Sequence, residues 1–327
     1  MSTTNLVKNL FSDNIETKAT RDGYGDGLID AGAKDKNVVV LTGDLADSTR
    51  VAKFGEKYPE RFFEVGVAEQ NLMGIAAGLA IAGKIPWVSS YATFSPGRNW
   101  DQLRVSVAYS EANVKVAGAH SGLSVGPDGA THQGMEDIAI TRVLPNMTVV
   151  VPADYWETRK ATAALSKFTG PVYLRFAREK TPVFTTEGAP FEVGRAEILR
   201  EGRDLTIIGC GPLLYESLKA AEELDHEGIS AQVINSHTIK PLDIKTISHA
   251  AAETGGVVTV EEHQVTGGLG GAVAEALGRH YPVPIEFVGM PDHFGESGEP
   301  QELLTKWGMT SREIIQKAKL VLARKVR

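Results

Sequence analysis

The stretch VGVAEQNLMGIAAGLAIAG, residues 65–83, decides how the rest of the chain is interpreted. One acidic residue, Glu69, is followed by small and apolar residues, with glycines at positions 74, 78 and 83. Apolar side chains on almost every side predict a helix that is buried on several faces. Glycine allows another backbone to approach closely, so tight packing is expected around it. Taken alone, Glu69 is an ordinary acid at a helix start, where the helix dipole favours negative charge.

The composition is that of an ordinary globular protein and excludes some classes of partner. The chain has 327 residues, of which 42% are hydrophobic and 23% charged, enough for two domains of about 150 residues. The net charge of -7 argues against nucleic acid or an anionic membrane as the main partner. An anionic substrate must therefore be bound by locally placed arginine and histidine side chains.

The cysteine content and the N-terminus indicate a cytoplasmic protein. A single cysteine, Cys210, excludes an internal disulfide and is typical of a reducing compartment. Because it follows an apolar strand, we interpret it as a small core residue rather than a nucleophile. The first residues lack the apolar core of a signal peptide, and no segment is long enough to cross a bilayer.

Apolar segments alternate with helical segments along the chain. The first half contains continuous apolar segments, each followed by polar residues, at 38–41, 85–91, 114–118, 148–154 and 171–178. Such segments predict a parallel sheet with helices on both faces, and the loops after its strands are expected to carry the chemistry. A proline-containing linker at 179–195 precedes a second, smaller set of strands and helices. We therefore predict an α/β fold with two domains, residues 1–185 and 186–327.

One loop, HSGLSVGPDGATH at residues 120–132, combines glycines with two histidines and Asp128. A flexible surface loop is one interpretation. A metal site is another, but the spacing of His120 and His132 matches no local ligand pattern and no cysteine assists. A third is hydrogen bonding to a polyhydroxylated substrate, since histidine can donate or accept near neutral pH.

The segments GVAEQN, TFSPGRNW, HSGLSVGPDGATHQ, LPNMTVVVPAD and RFAR occur in this order. Together they resemble the C-terminal portion of transketolase, and more specifically the C-terminal subunit of the split form, which is made of two chains. The resemblance covers almost the whole chain. It implies a thiamine-diphosphate pyrimidine-binding domain followed by a smaller α/β transketolase C-terminal domain. The implied activity is transfer of a two-carbon ketol unit from a ketose phosphate to an aldose phosphate, as in the pentose phosphate pathway.

The resemblance assigns cofactor roles to particular residues. Glu69 matches the glutamate that contacts the pyrimidine ring nitrogen, where a carboxyl group is needed to share a proton with the ring. Phe94 matches the aromatic that stacks on the pyrimidine, and Trp100 occupies the place of another pocket aromatic. SPG follows Phe94 where the long transketolases have a second phenylalanine, and plain core packing is the alternative for both rings. Asp44 matches an acid near the cofactor, with a purely structural loop role as its alternative.

The resemblance also assigns substrate roles. His132 matches the histidine that bonds the first oxygen of the donor, and Asp128 matches the acid that reads the configuration of the neighbouring hydroxyl. The residues that match phosphate contacts are His120, Arg21, Ser48 and Arg178. The planar fork of an arginine suits phosphate oxygens. Arg175 is an alternative anion contact.

Two glycine-containing motifs are set aside. Gly25-Asp26-Gly27 is like the start of the thiamine-diphosphate metal motif, but the asparagine that completes it is missing, because Asn37 is too close. The resemblance therefore implies that a separate N-terminal subunit binds the cofactor diphosphate and its Mg²⁺ or Ca²⁺. It also implies that the chain pairs with its own copy in a heterotetramer. The glycines of residues 266–277 are interpreted as helix-to-strand packing rather than as a phosphate cradle.

Three other functions remain open from the sequence. The beta subunit of a 2-oxo-acid dehydrogenase decarboxylase has the same layout but should lack the phosphate-contacting set. A deoxyxylulose phosphate synthase is one long chain with its own metal motif. A non-catalytic scaffold subunit would keep the fold, and the presence of Glu69 and His132 argues against it.

Overall fold

The computed structural model describes residues 5–325, in which the strands form a seven-stranded sheet, a five-stranded sheet and a two-stranded sheet. The strands are β1 Thr17–Ala19, β2 Val38–Thr42, β3 Phe62–Glu64, β4 Ile85–Tyr91, β5 Lys115–Ala119, β6 Thr148–Val150, β7 Val172–Arg175, β8 Lys180–Pro182, β9 Glu197–Arg200, β10 Leu205–Gly209, β11 Ala231–Asn235, β12 Thr238–Lys240, β13 Val257–Gln264 and β14 Ile285–Met290. The helices are α1 Thr20–Lys34, α2 Ala52–Lys57, α3 Glu69–Ile81, α4 Trp100–Gln102, α5 Asp137–Arg142, α6 Tyr155–Leu165, α7 Leu214–His226, α8 Ile244–Thr254, α9 Leu269–His280, α10 Pro300–Lys306 and α11 Ser311–Arg324. A π-helical segment, Leu103–Tyr109, continues α4.

The first sheet has the strand order β12-β6-β7-β5-β4-β2-β3. Its strands from the first half of the chain are all parallel, and every residue of β2 and β5 is buried. This agrees with the continuous apolar segments, which are typical of strands covered on both faces. The carboxyl ends of five neighbouring strands, β7, β5, β4, β2 and β3, therefore meet at one edge.

The edge strand β12 was not predicted, because it comes from the second half of the chain. It pairs antiparallel with β6, with Thr238 opposite Val150. Lys240, at its end, donates from Nζ to the carbonyl oxygens of Arg142 and Leu144. The second sheet, with the order β14-β13-β10-β11-β9, is parallel except for β9. A strand from the second half of the chain therefore forms one edge of the first sheet.

A buried hydrogen-bonded network joins the two larger sheets. We call it the closed junction, and it consists of the side chains of Asp137, Tyr173 and Arg175 and the backbone carbonyl of Glu262. The Arg175 guanidinium donates to the Asp137 carboxylate at 2.7 Å and to the carbonyl oxygen of Glu262 at 2.8 Å. The Tyr173 hydroxyl donates to the same Asp137 oxygen at 2.7 Å. Buried charges are tolerated where each has such partners.

Helix α3 is less buried than the sequence predicts. Leu72, Met73 and Ala76 pack into the core, but the opposite side of the helix faces outward. We call this side the open face; its residues are Gln70, Asn71, Gly74, Ile75, Gly78 and Ile81. Ile81 is 78% exposed, and a Cβ added at Gly74 or Gly78 would meet no described atom within 4 Å other than the adjoining backbone of its own helix. The apolar sequence pattern predicted neighbours on this side, and residues 5–325 do not supply them.

Smaller differences concern the two connecting segments. The N-terminal segment was expected to be an extended arm or a short helix. The described part of this segment, residues 5–19, has no helix and ends with strand β1. That strand pairs with β8, so the predicted linker is partly a strand. Residues 1–4 of the predicted arm and residues 326–327 of the second domain lie outside the described residues.

Candidate active site

The predicted site residues come from loops that meet at the carboxyl edge of the first sheet. Ser48 follows β2, Phe94 follows β4, and Arg178 follows β7. The loop after β5 contains His120, Asp128 and His132, and Glu69 begins the helix after β3. Arg21 lies in the first turn of α1. Ligands of parallel α/β sheets bind at this edge, which is why residues far apart in the sequence converge here.

Glu69 is part of a small cluster with Phe94 and Arg98. Glu69 is only 5% exposed, and its Oε1 accepts a hydrogen bond from Nη1 of Arg98 at 3.1 Å. The Arg98 guanidinium also lies 4.1 Å from the centre of the Phe94 ring, within cation–π range. The side chain of buried Asn99 donates to the backbone carbonyl of Glu69 at 3.3 Å. A helix-start carboxylate is thus fixed beside an aromatic ring.

Four rings connect this cluster to the loop after β5. Tyr91 stacks on His120 with their centres 4.2 Å apart, and it also stacks on Phe94 at 5.9 Å. The edge-on ring of His132 lies 5.2 Å from Phe94. His132 pairs through Nδ1 with the hydroxyl of Thr131 at 2.8 Å. Both predicted histidines therefore border the aromatic group that contains Phe94.

His120 sits at the centre of a basic group. Its Nε2 is 3.1 Å from the carbonyl oxygen of Ser48 and 3.2 Å from Nη1 of Arg21. Arg21 donates to the same Ser48 oxygen at 3.1 Å, so Ser48 joins the group through its backbone. Burial, together with the nearby charge of Arg21, lowers the pKa of His120 to about 3. His120 is therefore neutral at physiological pH and acts as a hydrogen-bonding group.

The basic group has unused hydrogen-bonding capacity. Nδ1 of His120 and Nε of Arg21 are buried and have no hydrogen-bond partner within residues 5–325. Burial and the neighbouring charges of Arg50 and Arg178 lower the pKa of Arg21. Buried polar atoms without partners are costly, so these two nitrogen atoms are candidates for contact with a ligand. An anion would relieve the repulsion among these arginines.

Arg178 and Asp128 form an ion pair near the basic group. The Nη1 of Arg178 lies 3.2 Å from Oδ2 of Asp128, and both side chains are about one-third exposed. Arg178 also lies 3.5 Å from Glu179 and donates to the carbonyl oxygen of Val125. An exposed pair of this kind contributes little to stability, so it can be rearranged by a ligand at small cost.

The structure does not bring every predicted residue into this group. Trp100 packs against the core and donates its indole N–H to the carbonyl oxygen of Ile140 at 2.9 Å, away from the stacked rings. Asp44 is exposed, with a positive φ of 62°, and its backbone N–H donates to Glu64. Arg175, weighed as an alternative anion contact, is buried in the closed junction with its side chain 3% exposed. It is engaged by Asp137 and is not free to bind a substrate.

Two residues of the site were missed by the sequence interpretation. Arg98 lies in the TFSPGRNW segment, and Tyr91 lies two residues before the start of that segment. The signal for Arg98 was its position four residues after Phe94, which places both side chains on one side of a helical turn. The signal for Tyr91 was its place at the carboxyl end of a buried strand.

The two motifs set aside have packing roles in the structure. Gly25-Asp26-Gly27 lies inside α1, where Asp26 accepts from the hydroxyl of Tyr155, and a Cβ at Gly27 would come within 2.7 Å of Thr162. At α9 the Glu261 carboxylate accepts from the backbone N–H groups of Leu269 and Gly270. The helix N-terminus is thus occupied by a carboxylate of the same chain, and the packing interpretation is confirmed.

Several other features complete the description. Cys210 is buried, and burial raises the pKa of its thiol, which agrees with a core role. Within the described residues, no group of three or more His, Cys, Asp or Glu side chains could hold a metal ion. The part of the chain that the structure describes contains no helix with the length and apolarity needed to cross a bilayer.

A parallel α/β domain followed by a second α/β domain is found in a class of thiamine-dependent transferases. Sequence profiles agree with this class: the transketolase pyrimidine-binding domain matches residues 16–183, and the transketolase C-terminal domain matches residues 194–314. The chain belongs to the transketolase family. The family uses thiamine diphosphate, so the coarse cofactor prediction agrees with the match.

Relatives and a solved structure point to the split form. A putative transketolase C-terminal section of Methanocaldococcus jannaschii is 45% identical over 303 residues, 92% of this chain and 95% of the relative. A 6-deoxy-6-sulfo-D-fructose transketolase subunit of a Clostridium species is 43% identical over 315 residues, 96% of this chain and 98% of the relative. A solved split-gene transketolase, described as an inactive beta4 tetramer, superposes with a TM-score of 0.89 at 45% identity, covering 94% of this chain and 99% of that chain. The predicted fold class and the resemblance to the split form are confirmed.

Proposed function

We propose that the chain is the C-terminal subunit of a thiamine-diphosphate-dependent transketolase. With a separate N-terminal subunit it would transfer a two-carbon ketol unit from a ketose phosphate to an aldose phosphate. The observation that carries this proposal is the convergence, at one sheet edge, of Glu69 and Phe94, which both contact Arg98, and the basic group around His120. A proton-sharing carboxylate and an anion site are the two things that such a reaction needs from this half of the enzyme.

The residues near Glu69 fit the ring of the cofactor. Its carboxylate can accept a hydrogen bond from a protonated ring nitrogen, a charge-assisted contact worth about 1.5–3 kcal/mol. Phe94 offers a ring face for stacking, and Arg98 now lies over that ring. When bound, the cofactor would supply a carbon nucleophile and an electron sink. Asp44 and Trp100 we retain as outer residues of this pocket, at a greater distance from the stacked rings.

The basic group fits the substrate. We assign the phosphate to Arg21, Arg178, the neutral His120 and the backbone at Ser48, because two guanidinium groups lie near two buried nitrogen atoms that have no partner among the described residues. His132 would bond the first donor oxygen, and Asp128 the neighbouring hydroxyl. The relative from Clostridium is named for a sulfonated sugar, so the anion could differ between members. Ordinary sugar phosphates of the pentose phosphate pathway are the substrates we propose.

The open face supports a partner subunit. Ile75 and Ile81 are exposed on α3, and Val105 and Tyr109 are exposed on the π-helical segment. Apolar side chains grouped on a surface mark association sites. We assign this surface to the assembly of a heterotetramer in which the N-terminal subunit holds the cofactor diphosphate and its Mg²⁺ or Ca²⁺. We place the protein in the cytoplasm, because its one cysteine is unpaired and no disulfide is needed.

The test combines the chain with a candidate N-terminal subunit, thiamine diphosphate and Mg²⁺. Wild type should transfer a ketol unit from a ketose phosphate, and Glu69→Ala should lower kcat by about 10²–10⁴-fold, the usual contribution of general acid–base help. The surface variant Glu56→Ala, on α2, is the control. Turnover of a 2-oxo acid instead would support the dehydrogenase alternative, and binding of the partner with activity independent of Glu69 would support the scaffold alternative. Either result contradicts the proposal.

A further inference from the structure

A buried side chain of the second domain contacts the loop that carries two of the candidate site residues. Glu262, at 4% exposure, lies on β13 of the second sheet. Its Oε1 accepts from the backbone N–H of Ser124 at 2.5 Å. A Cβ at Gly122 would come within 2.4 Å of the same oxygen, so the loop backbone lies directly against the carboxylate. Ser124 belongs to the loop that carries Asp128 and His132.

The other end of this loop is held by the second domain as well. Gln133 is buried, and its side-chain amide donates to the carbonyl oxygens of Leu123 at 3.1 Å and Glu296 at 2.9 Å. Glu296 belongs to the segment between β14 and α10. Two glycines of the loop face that region, since a Cβ at Gly129 would come within 2.5 Å of Ser297 and one at Gly126 within 3.0 Å of Pro300.

The backbone of the loop depends on these contacts. Its first and last residues pair with each other, with the N–H of Gly122 donating to the carbonyl oxygen of Gly134 at 2.8 Å. Arg175 of the closed junction donates to that same oxygen and to the carbonyl of Glu262. Residues 123–128 form a 3₁₀ segment with a kink at Gly126. A short irregular segment of this kind has few hydrogen bonds of its own, so outside groups determine its position.

We propose that Glu262 is a positioning residue for the substrate loop. Resting on the function proposed above, this inference gives the second domain a direct part in the reaction: its carboxylate fixes residues 121–134, and with them the places of Asp128 and His132. Without the carboxylate, the N–H of Ser124 would be buried with its acceptor gone, and the loop would move to satisfy it. A displacement of about 1 Å of substrate-contacting groups is enough to cost about a hundredfold in rate.

The neighbouring Glu261 provides a matched control. It is buried on the same strand, but its carboxylate turns to the N-terminus of α9 and accepts from Leu269 and Gly270. Burial raises the pKa of both glutamates, so the two side chains are alike in environment as well as in type. They differ in what they hold: Glu262 holds the substrate loop, and Glu261 holds a helix of its own domain.

The experiment compares Glu262→Met, which keeps the volume but has no strong acceptor, with Glu262→Gln, which keeps an acceptor oxygen. Hydrogen exchange of the full chain should show residues 121–134 exchanging about tenfold faster in Glu262→Met, as expected when one buried hydrogen bond is lost. Glu262→Gln should restore most of the protection. Glu261→Met should instead speed exchange in α9 and leave the loop as in wild type.

The kinetic arm uses the reconstituted two-chain enzyme. Glu262→Met should lower kcat/KM for the ketose phosphate by about 10–100-fold, with a raised KM for that substrate and an unchanged apparent affinity for thiamine diphosphate. If the only effect of the substitution were a smaller folded fraction of the protein, the apparent kcat would fall and KM would be unchanged. Unchanged loop exchange in Glu262→Met, or an equal kinetic loss in Glu261→Met, would overturn the inference. If wild type transfers no ketol unit, the proposed function fails, and the exchange arm still decides whether Glu262 holds the loop.

Discussion

The open face and the closed junction both contain groups that are unusual for their position, and the two regions differ in whether the described residues supply partners for those groups. In the closed junction, buried charges that would be costly alone are paired inside the chain, as for Arg175 between the Asp137 carboxylate and the backbone carbonyl of Glu262. On the open face, apolar and glycine residues that would suit an interior are left uncovered by residues 5–325, as for Gly78 and Ile81. The closed junction therefore concerns folding of one chain, whereas we propose that the open face serves association.

The largest effect that would test this contrast is expected from Arg175→Met. Removal of the guanidinium leaves Asp137 buried without its cationic partner and takes donors from the carbonyls of Gly134 and Glu262. We expect the free energy of unfolding to fall by about 3–5 kcal/mol, as when one partner of a buried pair is removed. Urea unfolding of the isolated chain measures it.

Arg159→Met is the control for that variant. Arg159 pairs with Asp30 at 2.8 Å, but both side chains are about one-third exposed, so the loss should be at most about 1 kcal/mol. Equal losses in the two variants would mean that the closed junction is no more important for folding than a surface ion pair.

A smaller effect is expected from Gly270→Ala in α9. The added Cβ would come within 2.6 Å of the Phe287 ring and 2.8 Å of the Thr259 hydroxyl. Overpacking costs about 1–3 kcal/mol, which exceeds the gain of about 1 kcal/mol in helix propensity. The chain should therefore lose up to about 2 kcal/mol in the same unfolding measurement. A more stable variant would show that this contact relaxes without cost.

The smallest effect, with the opposite sign, is expected from Gly78→Ala on the open face. Apart from the adjoining backbone of its own helix, no described atom lies within 4 Å of the added Cβ, so only the helix propensity changes. The isolated chain should gain about 0.8–1 kcal/mol in unfolding free energy. The same substitution measured in the presence of the N-terminal subunit sharpens the comparison, because a covered face would remove the gain. A loss in the isolated chain would contradict the description of this face as open.

The sequence predicted the parts of the structure that depend on local pattern. Buried parallel strands such as β2 and β5 are continuous apolar segments, so both their existence and the position of the loops after them followed from the residues. The convergence of Ser48, Phe94 and His120 at one edge then follows from parallel pairing. The site roles of these residues came from the family resemblance and stay predictions, as does the domain boundary at residue 185.

The remaining features depend on contacts between distant segments. Arg175 and Arg178 stand three residues apart, and nothing in the local sequence tells which is buried against Asp137 and which pairs with Asp128 at the surface. The apolar pattern of α3 predicted neighbours but could not tell whether they belong to the same chain. The contact of Arg98 with Glu69 joins segments 29 residues apart.

The strand β12, which comes from the second half but pairs in the first sheet, has a consequence for producing fragments of the protein. Because Thr238–Lys240 covers the edge of β6, a fragment ending at residue 185 would expose the unpaired backbone of that strand. Lys240 would also be missing from the carbonyl oxygens of Arg142 and Leu144. The two halves are therefore distinct in sequence, but the first half cannot be produced alone. Without the second half, a fragment of the first half is expected to precipitate or to pair with strands of other proteins.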